Sequence, residues 1–217
     1  GNTANGSQAF KANTTGADNT AVGYSALYSN TTGAYNAATG YKALWTNTTG
    51  GYNTAMGRLA LGANTAGTNN TAISHNAMYE GVTTGSYNTM VGVSSGRKMT
   101  SGASNSALGV NALEQNTTGA NNVGIGMSAL AANTTASWNT AVGHSALTTN
   151  TTGHRTVAIG FEASKLATTA GDSVVVGYRA GQKTTTALEN TFSDFISKEC
   201  SIILLTSLNK FLEAKTC

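Results

Sequence analysis

The chain contains 217 residues, of which only 10% are charged, and it has 26 glycines but no proline. About 25% charged residues is typical of a soluble globular domain, so the composition does not resemble that of an ordinary enzyme. A disordered chain is normally rich in charge and proline, and collagen needs proline and a glycine at every third position. The composition therefore indicates a biased but ordered sequence.

The net charge is +3, and no basic cluster is denser than Arg97-Lys98, so the positive surface expected of a nucleic-acid-binding protein is missing. The longest run of bulky apolar residues covers positions 202–205, far fewer than the roughly 20 that span a bilayer. We therefore expect neither a nucleic-acid partner nor membrane insertion. Cys200 and Cys217 define neither a disulfide framework nor a metal site.

A repeat with a period of 17, the step from Gly6 to Gly23 and again to Gly40, runs along most of the chain. Its marker is this glycine, here called the anchor glycine, which ends segments such as Asn-Thr-Ala-Val-Gly. Eleven copies are present, and Ser74 replaces the glycine in one of them. One extra residue falls between Ser74 and Gly92, most simply around residues 79–81. The anchor glycines are Gly6, Gly23, Gly40, Gly57, Gly92, Gly109, Gly126, Gly143, Gly160 and Gly177.

The columns of the repeat alternate in size. The residue before the anchor glycine is bulky and apolar in nine of eleven copies, as in Val22 and Ile159, and alanine usually precedes it. This alternation predicts a strand with the bulky column in the core. A second core column is predicted four positions after the glycine, as in Leu27, and Asn-Thr-Thr-Gly closes each copy with turn residues. Each copy therefore reads as strand, corner, short strand and turn.

A repeat unit of this length is too short for a pair of helices, so it predicts one coil of a β-solenoid. The predicted fold is an all-β, parallel β-solenoid, or β-roll, of about eleven 17-residue coils. Coils stacked ~4.8 Å apart would form a rod roughly 50 Å long. The absence of proline follows, because every coil must donate hydrogen bonds to its neighbour.

The predicted core is thin, because each coil supplies only two large apolar side chains. Burying one contributes roughly 1.5–3 kcal/mol, whereas ordering each backbone residue costs about 1–2 kcal/mol. Packing of the alanine-rich strand against other chains would reduce this deficit. We therefore expect an oligomer whose axis is lined by the strand that ends in Val22, Ile159 and their equivalents.

These columns resemble a known family. Thr156-Val157-Ala158-Ile159-Gly160, and less closely Ser173-Val174-Val175-Val176-Gly177, are similar to the Ser-Val-Ala-Ile-Gly motif of trimeric autotransporter adhesin heads. The Asn-Thr-Ala-Val-Gly and Asn-Thr-Thr-Gly segments resemble repeats of phage tail-fibre-like proteins. The resemblance covers about residues 1–187, and it implies a left-handed homotrimer and a receptor-binding rod. The coil in this chain is longer than the unit common in the adhesin heads.

The repeat ends near residue 186. Residues 1–186 form the predicted solenoid domain, and residues 187–217 form a predicted amphipathic segment, because Leu188, Phe192 and Phe195 begin a series with helical spacing. We expect a short C-terminal helical segment that caps the solenoid, since an open end exposes unpaired backbone. A trimeric stalk or assembly segment is the alternative.

No pattern of a catalytic, phosphate-binding or metal-binding site is present. His75, His144 and His154 occupy surface positions of the repeat without an acidic residue in register beside them. We therefore expect no enzymatic activity, no cofactor and no metal.

Binding is favoured over catalysis, because aromatic residues collect at the predicted outer corners. Exposed rings on a rigid rod are suited to stacking on sugar faces, and mutual stacking that braces the rod is the alternative. Two columns supply the candidate glycan-binding residues, which are Tyr35, Tyr52, Tyr87 and Trp138 in one column and Tyr28, Trp45 and Tyr79 in the other.

The predicted function is that of a structural and adhesive fibre segment, a trimeric rod for attachment to a host, a surface glycan or another surface receptor. Its predicted location is extracellular, on a cell surface or in a virion fibre. A self-assembling extracellular filament subunit is the alternative, and an ice-binding solenoid with threonine arrays is the third. The Asn-Thr-Thr turns also match the pattern for N-glycosylation.

Overall fold

The structure is a computed structural model that describes residues 1–169 and 171–186, together with the backbone of residues 191–193. These residues contain twelve short strands and no helix. The strands are β1 (Thr3–Asn5), β2 (Thr20–Val22), β3 (Ala37–Thr39), β4 (Thr54–Met56), β5 (Thr71–Ile73), β6 (Thr89–Val91), β7 (Ser106–Leu108), β8 (Val123–Ile125), β9 (Thr140–Val142), β10 (Val157–Ile159), β11 (Val174–Val176) and β12 (Thr191–Ser193).

The strands form one parallel sheet in which every strand pairs with the next in sequence order. Partners usually lie one repeat period apart, as Thr20 and Ala37 do, so one turn of the chain advances the sheet by one strand. This arrangement confirms the predicted all-β parallel solenoid. Only one strand is present in each of the described coils, because the predicted second strand is a run of turns.

The predicted extra residue is confirmed. β5 and β6 pair Thr71 with Thr89, one position more than the regular period. The Leu61 N–H still donates to Ala77 O with the spacing of the regular coils, whereas the Thr65 N–H donates to Thr83 O, one position farther than usual. The insertion therefore lies between Ala77 and Thr83.

The strand faces the opposite way from the prediction. Alanines at the middle strand position, such as Ala21 and Ala141, are buried, whereas the bulky residues before the anchor glycine are on the surface, with Met56 51% and Leu108 54% exposed. The prediction that this bulky column forms the core is therefore wrong. The interior of the coil is already filled by large side chains from the turn, so only a small residue fits beneath the strand.

Those large side chains belong to the predicted second core column, which is confirmed. Leu27, Leu44 and Leu113 are fully buried, although they have φ of +50, +50 and +53 degrees. Left-handed backbone costs a residue with a side chain roughly 1–2 kcal/mol, and burying leucine contributes a comparable or larger amount. The core therefore holds these turns in a conformation that their sequence does not favour locally.

The anchor glycine is required by the approach of the next coil. Gly109 has φ +141°, and a Cβ at this position would lie 2.6 Å from the carbonyl oxygen of Gly126. Ser74, which replaces the glycine in one coil, has φ +111°. The glycine column therefore permits consecutive coils to pack at hydrogen-bonding distance around the corner after each strand.

Two ladders of buried asparagines run beside the apolar core. In the first, called the pre-strand ladder, the Asn53 side chain donates to Asn36 Oδ1 and to Gly67 O, and its Oδ1 accepts the Asn70 N–H at 2.9 Å. In the second, called the turn ladder, Asn47 donates to Asn30 Oδ1. The pre-strand ladder comprises Asn19, Asn36, Asn53, Asn70, Asn88, Asn105, Asn122 and Asn139, and the turn ladder includes Asn30, Asn47, Asn64, Asn116, Asn133 and Asn150.

The insertion interrupts the turn ladder. Asn64 still donates to Asn47 Oδ1 in the preceding coil, but toward the next coil it is paired through a β-bridge with Thr83 instead of another asparagine. The Thr83 hydroxyl donates to the carbonyl oxygens of Gly81 and Met99, so it does not serve Asn64, whose buried Oδ1 has no hydrogen-bond partner. The coil with the extra residue is therefore an irregular point of the core.

Core volume is conserved by exchanging a large and a small residue within a coil. Gly96 occupies the leucine column, and Met90 occupies the alanine column of the same coil. A Cβ on Gly96 would lie 2.8 Å from Met90 Sδ, so the methionine fills the space that leucine fills elsewhere. Val175 and Gly181 show the same exchange, and Val175 is buried.

The predicted C-terminal helical segment lies almost wholly outside the described residues. The three residues that the structure does describe there, Thr191–Ser193, form β12 and not a helix, and they pair with β11 at the regular period. The sheet therefore continues beyond residue 186. Residues 194–217, with the rest of the predicted cap or stalk, lie outside the described residues.

Candidate functional site

A band of exposed apolar side chains borders the glycine corner. It consists of the residues immediately before and after the anchor glycine and is called the apolar ribbon. Val91, Val93, Leu108 and Val110 illustrate its two columns. Its most exposed apolar members, at about 36% exposure or more, are Val22, Tyr24, Tyr41, Met56, Val93, Leu108, Val110, Ile125, Met127, Ile159, Phe161, Val176 and Tyr178.

The sheet that supplies one column of the ribbon carries no charge. None of the residues in β1–β12 is Asp, Glu, Lys, Arg or His. In the other column the apolar series is interrupted at Ser7, Arg58, His75 and His144. The Arg58 guanidinium lies 2.9 Å from His75 Nε2 and over the Tyr41 ring. The surface is therefore an uncharged sheet face beside a mainly apolar and aromatic corner.

The column after the anchor glycine contains aromatic residues that the sequence analysis does not select. Tyr24 and Tyr41 stack with centroids 5.5 Å apart, and Phe161 stacks at 5.3 Å on Tyr178. The sequence gives one indication of this column. Apolar residues recur directly after the anchor glycine, although the residue type at that position varies from copy to copy.

The members of the first predicted aromatic column do not form one continuous series of rings in the structure. Tyr35 and Tyr52 stack with centroids 4.8 Å apart, which is the mutual bracing that the sequence leaves open. Tyr87 is 66% exposed and lies between coils that carry Asn69 and Ser104 at this position. Trp138 is exposed, and its ring lies 6.3 Å from the His154 ring in a tilted arrangement.

The second predicted column forms a cleft. Trp45 and Tyr79 are half-buried, and the coil between them carries Gly62 in the same column. The space has a volume of about 270 Å³, and Lys42 Nζ lies 4.3 Å from the centre of a Trp45 ring. Tyr28, one coil before Trp45, is not part of the cleft, whose lining residues are Trp45, Thr46, Gly62, Ala63, Tyr79 and Glu80.

Charged side chains beside the cleft connect neighbouring coils. Arg97 donates to Glu80 Oε1 at 2.5 Å and to Glu114 Oε1 at 2.6 Å. A comparable cluster is present farther along the rod, where hydrogen bonds from Lys165 and Arg179 lower the pKa of Glu162 against the opposing effect of desolvation. Both clusters join neighbouring coils through side chains, and the lowered pKa of Glu162 favours the ionised carboxylate in the second.

The threonine arrays considered for ice binding are partly engaged in the rod itself. The hydroxyls of Thr31 and Thr48 donate to the carbonyl oxygens of Thr48 and Thr65, and Thr117 donates in the same way to Thr134. These hydroxyls are thus committed to contacts between coils.

The histidines lie at surface positions with protein neighbours. His75 meets Arg58, His144 stacks on Phe161, and His154 Nδ1 accepts the Ser137 N–H. Among the described residues, no three His, Cys, Asp or Glu side chains are grouped closely enough to hold a metal ion. The same residues include no helix capable of crossing a membrane.

Buried asparagines of the turn ladder cannot act as glycosylation sites in the folded rod, although all of them except Asn64 match the sequence pattern. Asn30, Asn47 and Asn133 are fully buried and hydrogen-bonded. Asn5, followed by Gly-Ser, and Asn69, followed by Asn-Thr, match the same pattern and are exposed. The sequence pattern alone therefore misjudges which asparagines are available.

We expect the folded rod, when secreted from a eukaryotic cell, to carry a glycan at an exposed asparagine such as Asn69 and none at the buried turn asparagines. Peptide mapping by mass spectrometry checks this. Thr71→Ala, which removes the pattern at a strand position where Ala37 stands in another coil, should abolish the modification at Asn69. A glycan on Asn30 or Asn133 of the folded rod would contradict the ladder.

Comparison of the chain with protein-family models, with curated proteins and with solved structures finds no match.

Proposed function

We propose that this protein is a structural and adhesive fibre segment: a rod that associates through its apolar ribbon and the uncharged sheet face, and attaches to surface glycans through aromatic residues elsewhere. The observation that carries the proposal is the exposed ribbon along the solenoid. Large contiguous apolar surfaces are rare on soluble monomers and usually mark interaction sites. A mainly apolar strip on a rigid repeat is suited to parallel packing of identical chains.

The size of this surface is consistent with a stable association. A rod of about twelve strands spaced ~4.8 Å apart is roughly 50 Å long. A strip about 15 Å wide then covers on the order of 750 Å² per chain, close to the ~800 Å² per partner of a standard interface. Association would bury the bulky column that a single chain leaves exposed.

A homotrimer is the assembly that the adhesin resemblance implies, and an extracellular, cell-surface or virion location accompanies it. In the alternative, an extracellular filament, rods join into a continuous assembly. Electron microscopy of the native particle separates the two, because closed trimers have a fixed length and filaments do not. Ice binding would instead use the threonines of the outer sheet face, and thermal-hysteresis measurements test it directly.

Changing Leu108 to lysine is expected to disrupt the association without unfolding the rod. The side chain is 54% exposed in the ribbon, so a single chain tolerates the charge, whereas an interface would bury it unpaired, which is costly. Sedimentation equilibrium should show a multimer for the unaltered protein and a shift of at least tenfold in its dissociation constant for Leu108→Lys.

Val82→Lys is the matched control, because Val82 is 61% exposed and lies outside the ribbon. It should leave the sedimentation mass unchanged, and circular dichroism should show the same β-rich spectrum for all three proteins. A monomeric unaltered protein, or equal behaviour of both lysine variants, would contradict the association.

A further inference from the structure

The geometry points to the cleft between Trp45 and Tyr79 as a binding slot for one pyranose ring of a glycan. This inference rests on the proposed adhesive function and assigns it to one of the two aromatic columns. The cleft lies where the repeat is least regular. It includes Glu80, beside the inserted residue, and Gly62 forms its floor.

The cleft forms because a coil with two small residues lies between two coils that carry larger residues at the same positions. At the same two positions in three successive coils the chain carries Trp45-Thr46, then Gly62-Ala63, then Tyr79-Glu80. The middle coil is therefore recessed, and the coils on both sides form walls. Gly62 has space for the leaning Tyr79 ring, since a Cβ there would lie 3.0 Å from Tyr79 Cδ2.

The slot has the size of a single ring beside the aromatic side chains that line it. Where neighbouring coils both carry rings, as at Tyr35 and Tyr52, the centroids are 4.8 Å apart and nothing fits between them. The coils that carry Trp45 and Tyr79 are two coil steps, or about 9.6 Å, apart, and the Tyr79 ring leans from its coil toward Gly62. The space that remains beside the leaning ring has a volume of about 270 Å³, just below the ~300–1,000 Å³ typical of larger ligands, which leaves room for one ring against Trp45.

The polar groups at the rim favour a sugar over an aromatic ligand. Glu80 is paired with Arg97 through one oxygen, and its carboxylate has lone pairs left to accept hydrogen bonds from two hydroxyls. Lys42 is not among the residues that line the cleft, and its Nζ lies over the Trp45 ring. A pyranose presents apolar C–H faces to the walls and hydroxyls to the Glu80 carboxylate, whereas an unsubstituted aromatic ring offers that carboxylate no hydrogen-bond donor.

The test places an added side chain in the slot and keeps both of its aromatic walls. Gly62→Trp places a ring in a column that already carries rings at Tyr28 and Trp45, and the Tyr79 ring, whose Cδ2 would lie 3.0 Å from the new Cβ, has to move aside for it. The full chain is applied to an array of immobilised neutral and acidic glycans, and the strongest ligand is then titrated calorimetrically. We expect Gly62→Trp and Trp45→Ala each to weaken binding at least tenfold, and Glu80→Gln to weaken it severalfold.

The double variant Tyr35→Ala/Tyr52→Ala is the matched control and should bind as the unaltered protein does. In a Trp138→Phe background, Trp45 is the remaining tryptophan, and saturating glycan should change its fluorescence. Unchanged affinity of Gly62→Trp with the same sedimentation mass as the unaltered protein would overturn the slot. If the Tyr35/Tyr52 control alone loses binding, the slot fails and the adhesive function stands. If the unaltered rod binds no glycan on the array, the adhesive function fails together with the slot.

Discussion

Replacing Met90 with alanine is expected to lower the free energy of unfolding by about 2–5 kcal/mol, the usual cost of truncating a buried methionine. Met90 is fully buried, and its coil has Gly96 where other coils have leucine. The variant would thus leave Met99 as the one large side chain that this coil contributes to the described core. Urea unfolding in the Leu108→Lys background measures the effect, because association otherwise adds to apparent stability.

Adding Gly96→Leu to Met90→Ala should restore the free energy of unfolding. Met90→Ala/Gly96→Leu recreates the arrangement of the regular coils, and position 96 has φ +56°, close to the +53° of Leu113 in the next coil. Gly96→Leu alone should destabilise by roughly 1–3 kcal/mol, since the new side chain would overlap Met90. We expect the double variant to be within about 1 kcal/mol of the parent, because the effects of residues in contact are strongly coupled. A double variant no better than Met90→Ala would contradict the compensation.

The repeat made the fold predictable, but not the direction in which each column faces. The period of 17, the anchor glycine and the extra residue identified a parallel solenoid and the place of its irregularity. A period of two shows that Ala21 and Val22 point in opposite directions and does not show which is inside. The usual preference for bulky cores gave the wrong answer, because Leu27 enters the same interior from the turn.

The backbone of the turns could not be read from residue preferences. A leucine in left-handed conformation is rare, and nothing in Ser-Ala-Leu suggests it. The glycines at positions 96 and 181 in the leucine column were the available signal, since both have positive φ. Recognising them would have indicated a tight turn in place of a second strand, with the leucine held there by burial.

The positions of the candidate aromatic residues along the repeat were predictable, but the way in which they group was not. Column positions correctly placed Tyr35 beside Tyr52 and Trp45 two coils from Tyr79. Whether rings stack on each other or leave a space depends on the intervening residue, and Gly62 decides it for the cleft. The buried state of the asparagines also depends on tertiary structure, because the same residue type is equally common in exposed turns.

Replacing Asn53 with alanine is expected to lower the free energy of unfolding by about 2–4 kcal/mol. Asn53 Oδ1 accepts the N–H of Asn70, which is fully buried, and the Asn53 amide donates to Asn36 Oδ1 and Gly67 O. A buried N–H left without an acceptor costs roughly 1–3 kcal/mol, and each lost hydrogen bond adds about 1 kcal/mol. Gly67 O keeps its second donor, Asn64, which limits the loss.

Thr54→Ala is the matched control, because Thr54 adjoins Asn53, points out of the sheet and has Ala37 as its equivalent in the preceding coil. It should change the free energy of unfolding by less than about 0.5 kcal/mol. Hydrogen exchange gives the local readout, since the Asn70 amide should lose protection in Asn53→Ala and retain it in Thr54→Ala. Equal stabilities and equal protection of the Asn70 amide in the two variants would show that the ladder fills space without stabilising the coils, and the burial of so many amides would then need another cause.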